Sequence, residues 1–509
     1  MSENQFPQGF LFGASTASYQ VEGGATEGGR LPSIWDTFAH TEGRTFNGEH
    51  GDVACDHFHR YAEDITAMAE IGLTAYRFSM AWPRIRPTGD GEFNDEGFAF
   101  YHRILDELEK YGIEPLVTLY HWDLPQALED AGGWPDRAIV DRFVEYARRT
   151  VEEFKDRVTY WTTFNEPWCT AFLGYSCGAH APGRSEPAAS LAAAHHLNLA
   201  HGRAYTAIKE VHPDAKVSIV LNSHLPRPWN PADPRDVAVA DKIDGLANRI
   251  FMDPYTVGQY PAIVMDSTSD LTDWSFVHDG DLAQIKGTLD LVGVNYYSSH
   301  MVRFNEAPHE RSGQDGHNAT IHSCWPGAAE AEFMPLVGQH TTMGWNVDPS
   351  GFHAHLMRMH RDMGLPMMVT ENGSSWPDEV SDDGRIRDID RYTYLYDHLA
   401  ALLQAREEGA DVRGYMAWSL MDNFEWAHGY SKRFGLLRVD YNSQVRTWKD
   451  SAYWYRETIR TRALAPLEAL ESLLETPPRV YSLSGVAPIP PSGAAPAPFP
   501  LEPRPSNVP

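Results

Sequence analysis

Eight short β-rich runs alternate with long amphipathic stretches through most of the chain, and this alternation constrains the fold more than any other feature. The strand candidates are Phe10–Ser18, Ala75–Met80, Glu114–Trp122, Thr159–Pro167, Lys216–Asn222, Leu289–Ser298, Pro366–Gly373 and Arg413–Asp422. Between them apolar residues recur at three- and four-residue spacings, as in Phe98, Tyr101, Ile104, Leu105 and Leu108, or Ile139, Phe143, Ala147, Val151 and Phe154. That is the period of a helix with one buried face. Gly112 reads as a helix stop and Pro135-Asp136 as a helix start. The run from Leu289 to Asn295 is apolar nearly throughout, as a strand covered on both faces must be. Eight such repeats predict an α/β fold, a single (β/α)8 TIM barrel over residues 1–460.

Beyond residue 460 the composition changes. Leu467, Leu470 and Leu474 mark one short helix, and from Thr476 to Pro509 eleven of 34 residues are proline, too dense for helix or sheet ladders. Residues 461–509 are therefore expected to be a short helix followed by a Pro-rich, disordered tail.

The charge balance, 42 Lys and Arg against 70 Asp and Glu, gives −28 and repels phosphate backbones and anionic lipid. No nucleic-acid or membrane partner is expected. No run approaches the roughly 18 to 20 apolar residues of a membrane span, and the start lacks a basic, then apolar leader. Four cysteines without Cys-x-x-Cys spacing argue against a disulfide framework or zinc ribbon. A soluble, cytoplasmic protein is the reading. The surplus of aromatics, 15 Trp, 23 Tyr and 22 Phe, in an acidic chain suits sugars, whose rings offer apolar faces and polar rims.

In a barrel, chemistry sits at the carboxyl ends of the strands, and nearly every candidate strand ends in polar or aromatic residues. They are Gln20 and Glu22 after the first, Arg77 in the second, His121 and Trp122 in the third and Asn165 and Glu166 in the fourth. Asn295 and Tyr297 follow in the sixth, Glu371 and Asn372 in the seventh, and Trp418 in the eighth, with Glu425 and Trp426 in the loop beyond. Acetal hydrolysis needs an acid for the leaving oxygen and a carboxylate for the anomeric carbon, and Glu166 and Glu371 can supply both. Taken singly, Trp122, Trp418 and His121 read equally well as core residues, and either glutamate as a salt bridge or helix cap.

Phe10-Leu-Phe-Gly-Ala-Ser-Thr-Ala-Ser-Tyr-Gln-Val-Glu-Gly, Thr163-Phe-Asn-Glu-Pro and Val369-Thr-Glu-Asn-Gly, in this order, resemble the motifs of glycoside hydrolase family 1, the retaining β-glucosidases, over residues 6 to 460. The resemblance implies that Glu371 is the nucleophile and Glu166 the acid, then base. It also implies that Asn165 binds the sugar 2-OH and that Arg77 and Tyr297 hold Glu371 ionised. Gln20, His121, Trp122, Glu425 and Trp426 would grip the glycone, together with Asn295. Trp418 would stack under the ring, and Trp345 would form the platform for the leaving group. The expected partners are small β-glucosides or oligosaccharides, with glucose and also galactose or fucose as glycone, and no cofactor is implied. The oligomeric state is not legible, and the leaving-group pocket is assigned to loops such as 304–332.

Other readings remain. Gly174-Tyr-Ser-Cys-Gly178 matches the serine-hydrolase elbow at Ser176, but no strand is expected directly before it. Asp56-His-Phe-His59 and His353-Ala-His355 hint at a metal, yet residues two apart on a helix do not share a face, so no metal is expected. A 6-phospho-β-glycosidase is an alternative: Glu425 would repel the phosphate, while Lys432 nearby would attract it. A non-catalytic sugar-binding relative is disfavoured because both glutamates are present.

Overall fold

The computed structural model describes residues 5–222, 224–306, 323–475 and 477–481. Eight parallel strands close into a barrel: β1 (Leu11–Ser15), β2 (Ala75–Ser79), β3 (Glu114–Tyr120), β4 (Tyr160–Asn165), β5 (Lys216–Asn222), β6 (Val292–Asn295), β7 (Met367–Asn372) and β8 (Val412–Trp418). Each pairs with its neighbours in sequence, and β1 closes the ring against β8. All eight expected strands are present. The expectations overshot mainly at the carboxyl ends, where chain that reads as β leaves the ladder to form the site.

The helices follow from the same patterning. Asp95–Tyr111 and Ala138–Phe154 bury the ten apolar residues picked out by their spacing. Gly112 ends the first in the left-handed conformation, and the Asp136 carboxylate accepts from the Ala138 N–H at the start of the second.

Inside the barrel, alternation carries the wall from an apolar floor to a polar layer. Ala75, Leu116, Leu291, Met368 and Met416 form a small cluster of their own, at the ends where the strands begin. Two residues further along β2, β7 and β8 stand Arg77, Thr370 and Trp418. Gly373, just past β7, must lack a side chain, because a Cβ there would fall 1.8 Å from the Trp418 carbonyl oxygen.

Two small sheets flank the barrel, one of Pro226–Pro228, His300–Phe304 and Ala331–Met334 and one of Leu437–Asp440, Val445–Trp448 and Val480–Tyr481. Ordered contacts thus run to residue 481: Trp448 Nε1 donates to the Tyr481 hydroxyl at 3.2 Å, and Arg479 pairs with Glu70 at 2.6 Å and with Glu475. The Pro-rich stretch 482–509 lies outside the described residues. No described helix is long and apolar enough to cross a membrane.

Ending the chain after Tyr481 should leave the melting temperature unchanged, since a proline-rich segment buries little apolar surface. Ending it after Leu474 removes a strand and the partners of Trp448 and Glu70, and should lower melting by several degrees. Differential scanning calorimetry of the two truncations separates these outcomes.

Candidate active site

At the carboxyl ends of the strands lies a cleft of about 950 Å³, part of it open to solvent. Its lining includes Glu166, Glu371, His121, Trp122, Asn295, Tyr297, Trp345, Trp418, Glu425 and Trp426. Of the residues singled out in the sequence, Arg77, Asn165 and Gln20 stand just behind this surface and reach it through hydrogen bonds.

A continuous polar network joins the two glutamates. Arg77, only 1% exposed, donates from Nη1 to Glu371 Oε1 at 2.5 Å and from Nη2 to Asn165 Oδ1 at 2.7 Å. Asn295 Nδ2 donates to the same Asn165 oxygen at 3.1 Å and to Glu166 Oε1 at 2.7 Å, and Thr370 fixes the amide by donating to Asn295 Oδ1. The Tyr297 hydroxyl donates to Glu371 Oε2 at 2.7 Å, and the Cys169 thiol to Glu166 Oε2 at 3.1 Å. Every carboxylate oxygen of the pair therefore has a partner, but only Glu371 has a cation.

Backbone irregularity aims these groups. The ladders slip between Thr162 and Asn165 on β4 and between Val369 and Glu371 on β7, just where the two glutamates stand. Such slips re-aim side chains at strand ends. Glu166, Trp122 and Trp426 hold positive φ of 45°, 72° and 50°, conformations unusual for non-glycine residues and typical of sites held under strain.

Proton affinities diverge accordingly. Burial, then the charge on Glu371, pushes Glu166 up to about 7, while Asn295, Cys169 and Arg77 oppose the shift. Burial raises Glu371 too, against Arg77, Tyr297 and Asn295. Arg77 thus limits the rise rather than lowering Glu371 below its ordinary range; its charge still makes Glu371 the first of the pair to ionise. Burial, with Glu371 and Glu166 as further negative charges, pushes Glu425 up to about 8. His121 is held neutral by burial and by Arg77, and its Nε2 lies 3.0 Å from Asn165 Nδ2.

One wall is built for a polyhydroxylated ring. Gln20 Nε2 is anchored on the Phe424 carbonyl at 2.7 Å, leaving Oε1 without a partner, and Glu425 Oε2 likewise has none among the described residues. Gln20 Oε1 is a buried acceptor and Glu425, raised to about 8, is a buried carboxyl that can donate as well as accept; sugar hydroxyls satisfy both. Trp426 packs 4.6 Å from Trp122 and stacks on Tyr19, and Trp418 stacks on His121. Towards the mouth Trp345 packs 5.1 Å from Tyr297. The 304–332 loop expected there falls partly outside the described residues, at 307–322.

Other polar strand-end residues are structural. Asn372, beside Glu371, turns away to the Tyr296 carbonyl and Tyr394, and Glu22 is taken by Arg84 and Tyr101. Ser176 lies in the helical turn Cys169–Ser176 and donates to the Ser323 carbonyl, without the strand an elbow needs. His57 pairs with Asp64, while His59 pairs with Asp56 and Glu27, so the two diverge. Lys432 donates to the Thr342 carbonyl. The sequence reading missed Cys169, Leu173, His180, Asn222 and His224, which also line the cleft. Asn222 ends β5 and was open to the strand-end rule; Cys169 lies one helical turn beyond Glu166.

The family model for glycosyl hydrolase family 1 matches residues 2–464. A bifunctional β-D-glucosidase/β-D-fucosidase of Bifidobacterium breve is 47% identical over 464 residues, covering 89% of this chain and 98% of that protein. The crystal structure of a psychrophilic β-glucosidase from Micrococcus antarcticus superposes with a TM-score of 0.87 at 43% identity, over 90% of this chain and 98% of that one. A β-glucosidase from Thermotoga maritima in complex with glucoimidazole superposes with a TM-score of 0.84 at 41% identity, over 90% of this chain and 100% of that one. On a barrel of eight parallel strands with paired glutamates at the ends of β4 and β7, these matches place the chain in glycosyl hydrolase family 1.

Proposed function

We propose that this enzyme is a cytoplasmic retaining β-glucosidase that removes non-reducing terminal β-glucosyl residues, and also fucosyl or galactosyl ones, from short saccharides or aryl glycosides. The observation that carries the mechanism is the unequal provisioning of the two carboxylates. Glu371 has a guanidinium and a phenol; Glu166 has an amide and a thiol. Glu371 is the nucleophile: its ionised oxygen bonds to the anomeric carbon as Glu166 gives its proton to the departing oxygen, leaving a glycosyl ester on Glu371. With the charge on Glu371 gone, Glu166 becomes the base. It takes a proton from water as that water attacks the anomeric carbon and Glu371 leaves. Asn165, oriented by Arg77 and Asn295, meets the 2-OH. Gln20, His121, Trp122, Glu425 and Trp426 hold the remaining hydroxyls, Trp418 underlies the ring and Trp345 faces the aglycone.

The glucosidase and fucosidase readings are supported by the B. breve relative's name, and glucose-like recognition by the T. maritima complex with glucoimidazole. The partnerless oxygens of Gln20 and Glu425 fit hydroxyl donors and disfavour a phosphate. The buried thiols of Cys55 and Cys169 support a reducing compartment.

Proton NMR of 4-nitrophenyl β-glucoside hydrolysis should show β-glucose as the first anomer. The fucoside should be cleaved and the 6-phosphoglucoside refused. An α-anomer appearing first, or a preference for the phosphorylated substrate, contradicts the proposal.

Because Arg77 is buried, Glu371→Ala would strand its charge, at a cost of about 3–5 kcal/mol for a broken buried pair. Glu371→Gln also removes the countercharge, but it keeps the shape and an amide oxygen that accepts from Arg77, so its cost is smaller. Its turnover should fall by at least about 10⁴-fold, in line with loss of a nucleophile that acts as part of a unit, while thermal melting stays within a few degrees. Substantial turnover by this variant would place the nucleophile elsewhere.

As the acid, Glu166 must be protonated, so kcat/KM should fall as pH rises through about 7. The Cys169 thiol stabilises the charged carboxylate. Cys169→Ala should therefore move this alkaline limb to higher pH, and an unmoved or lowered limb would contradict the role given to the thiol.

A further inference from the structure

On the flank behind Trp426, away from the cleft, three side chains direct ligand atoms at one spot. His40 caps the helix Ile34–Ala39, and His50 and Asp52 follow the turn Phe46–Gly48; their ligand atoms all lie within 4.8 Å of one another. His40 Nδ1 sits 2.7 Å from the Asp36 carbonyl oxygen, which can only accept, so that nitrogen carries the ring proton. Its Nε2 then presents a lone pair to Asp52 Oδ2 at 3.2 Å. Two acceptors at that separation need either a second proton on the ring or a cation between them. On the other side, His50 Nδ1 pairs with Asp52 Oδ1 at 3.2 Å, a contact that raises the proton affinity of His50 and leaves both atoms shielded from solvent, so a proton or a metal ion must stand between them. The two imidazoles stack 4.5 Å apart at 22°, side by side over one carboxylate.

We propose that His40, His50 and Asp52 form a binding site for one divalent transition-metal ion of the Zn²⁺ class. Two neutral imidazoles and a carboxylate are a borderline donor set that suits zinc, copper or nickel; calcium and magnesium require more oxygens. Ligands about 2.0–2.2 Å from a tetrahedral ion lie about 3.4 Å from one another; the nitrogens here lie 3.2 Å from one Asp52 oxygen each, so a turn of either ring out of the stack brings both lone pairs onto a shared ion. The side chains are between a third and a half exposed, at 49%, 34% and 36%, which leaves a coordination position for water and makes the ion exchangeable.

The site is joined to the glycone wall. The Tyr430 hydroxyl donates to the His50 carbonyl at 2.8 Å, Tyr430 N–H donates to Glu49 at 2.6 Å, and Gly51 N–H donates to the hydroxyl of Tyr19, whose ring stacks on Trp426. An ion on His40 therefore ties the helix end to segment 49–52, and through Tyr19 and Tyr430 braces the loop that carries Glu425 and Trp426.

Isothermal titration calorimetry of Zn²⁺ into the full-length, tag-free, chelator-treated protein tests the site. One ion per chain should bind with micromolar affinity and raise the melting temperature. His50→Gln and Asp52→Asn should each weaken binding by on the order of 10- to 100-fold and remove the thermal gain. His40→Gln gives a third measure should either variant melt abnormally without metal. His59→Gln, beside the separate acids Asp56 and Glu27, should change nothing. Absence of binding at millimolar Zn²⁺, or affinity retained in the His50 and Asp52 variants, would overturn the proposal.

Discussion

The contact on which the site depends is the ion pair between Arg77 and Glu371, buried at the carboxyl end of a closed barrel. A guanidinium 1% exposed cannot stand alone in such a place, so its remaining donors must be satisfied nearby. Asn165 meets that need at Nη2, although Nε has no partner among the described residues, and in accepting from Arg77 it is oriented for Asn295, which reaches Glu166. One buried cation on β2 thus organises four residues from β4 and its end, β6 and β7, and it gives two chemically identical carboxyls different proton affinities. The apolar cluster of Ala75, Leu116, Leu291, Met368 and Met416 lies beneath this layer.

The same geometry accounts for the strain. A strand in regular register points alternate side chains in and out, and that period alone cannot bring glutamates from β4 and β7 to one point. The slips after Thr162 and Val369 and the positive φ at Glu166 break the period where two functional carboxyls must converge.

How much of this was legible follows from periodicity. Strands buried on both faces and helices with one apolar stripe leave strong patterns, so all eight barrel strands and the faces of Asp95–Tyr111 and Ala138–Phe154 could be read directly. Polar residues interrupting apolar strands marked Arg77, Asn165, Glu166, Asn295 and Glu371, because such residues at a strand end have few structural reasons to be there. Asn372 shows the limit: the rule marks a polar strand-end residue but not the way it turns, and this amide bonds away from the cleft. Contacts outside the periodic elements left no comparable trace. The Cys169 thiol on Glu166 depends on a helical turn after the strand, and the Val480–Tyr481 strand depends on pairing with residues more than thirty positions earlier. The burial of Arg77 was also invisible, and it changes which substitution of Glu371 is informative.

The central claim is that burial, reinforced by the charge on Glu371 beside Arg77, keeps Glu166 protonated until the glycosyl ester forms. Carbon-13 NMR of enzyme labelled at the glutamate carboxyls, titrated before and after trapping with a 2-deoxy-2-fluoroglucoside, tests it directly. In the free enzyme Glu166 should titrate near 7, and in the trapped enzyme, with Glu371 esterified and neutral, its pKa should fall markedly. A Glu166 pKa that does not change on trapping, or a label attached to any residue other than Glu371, would contradict the account.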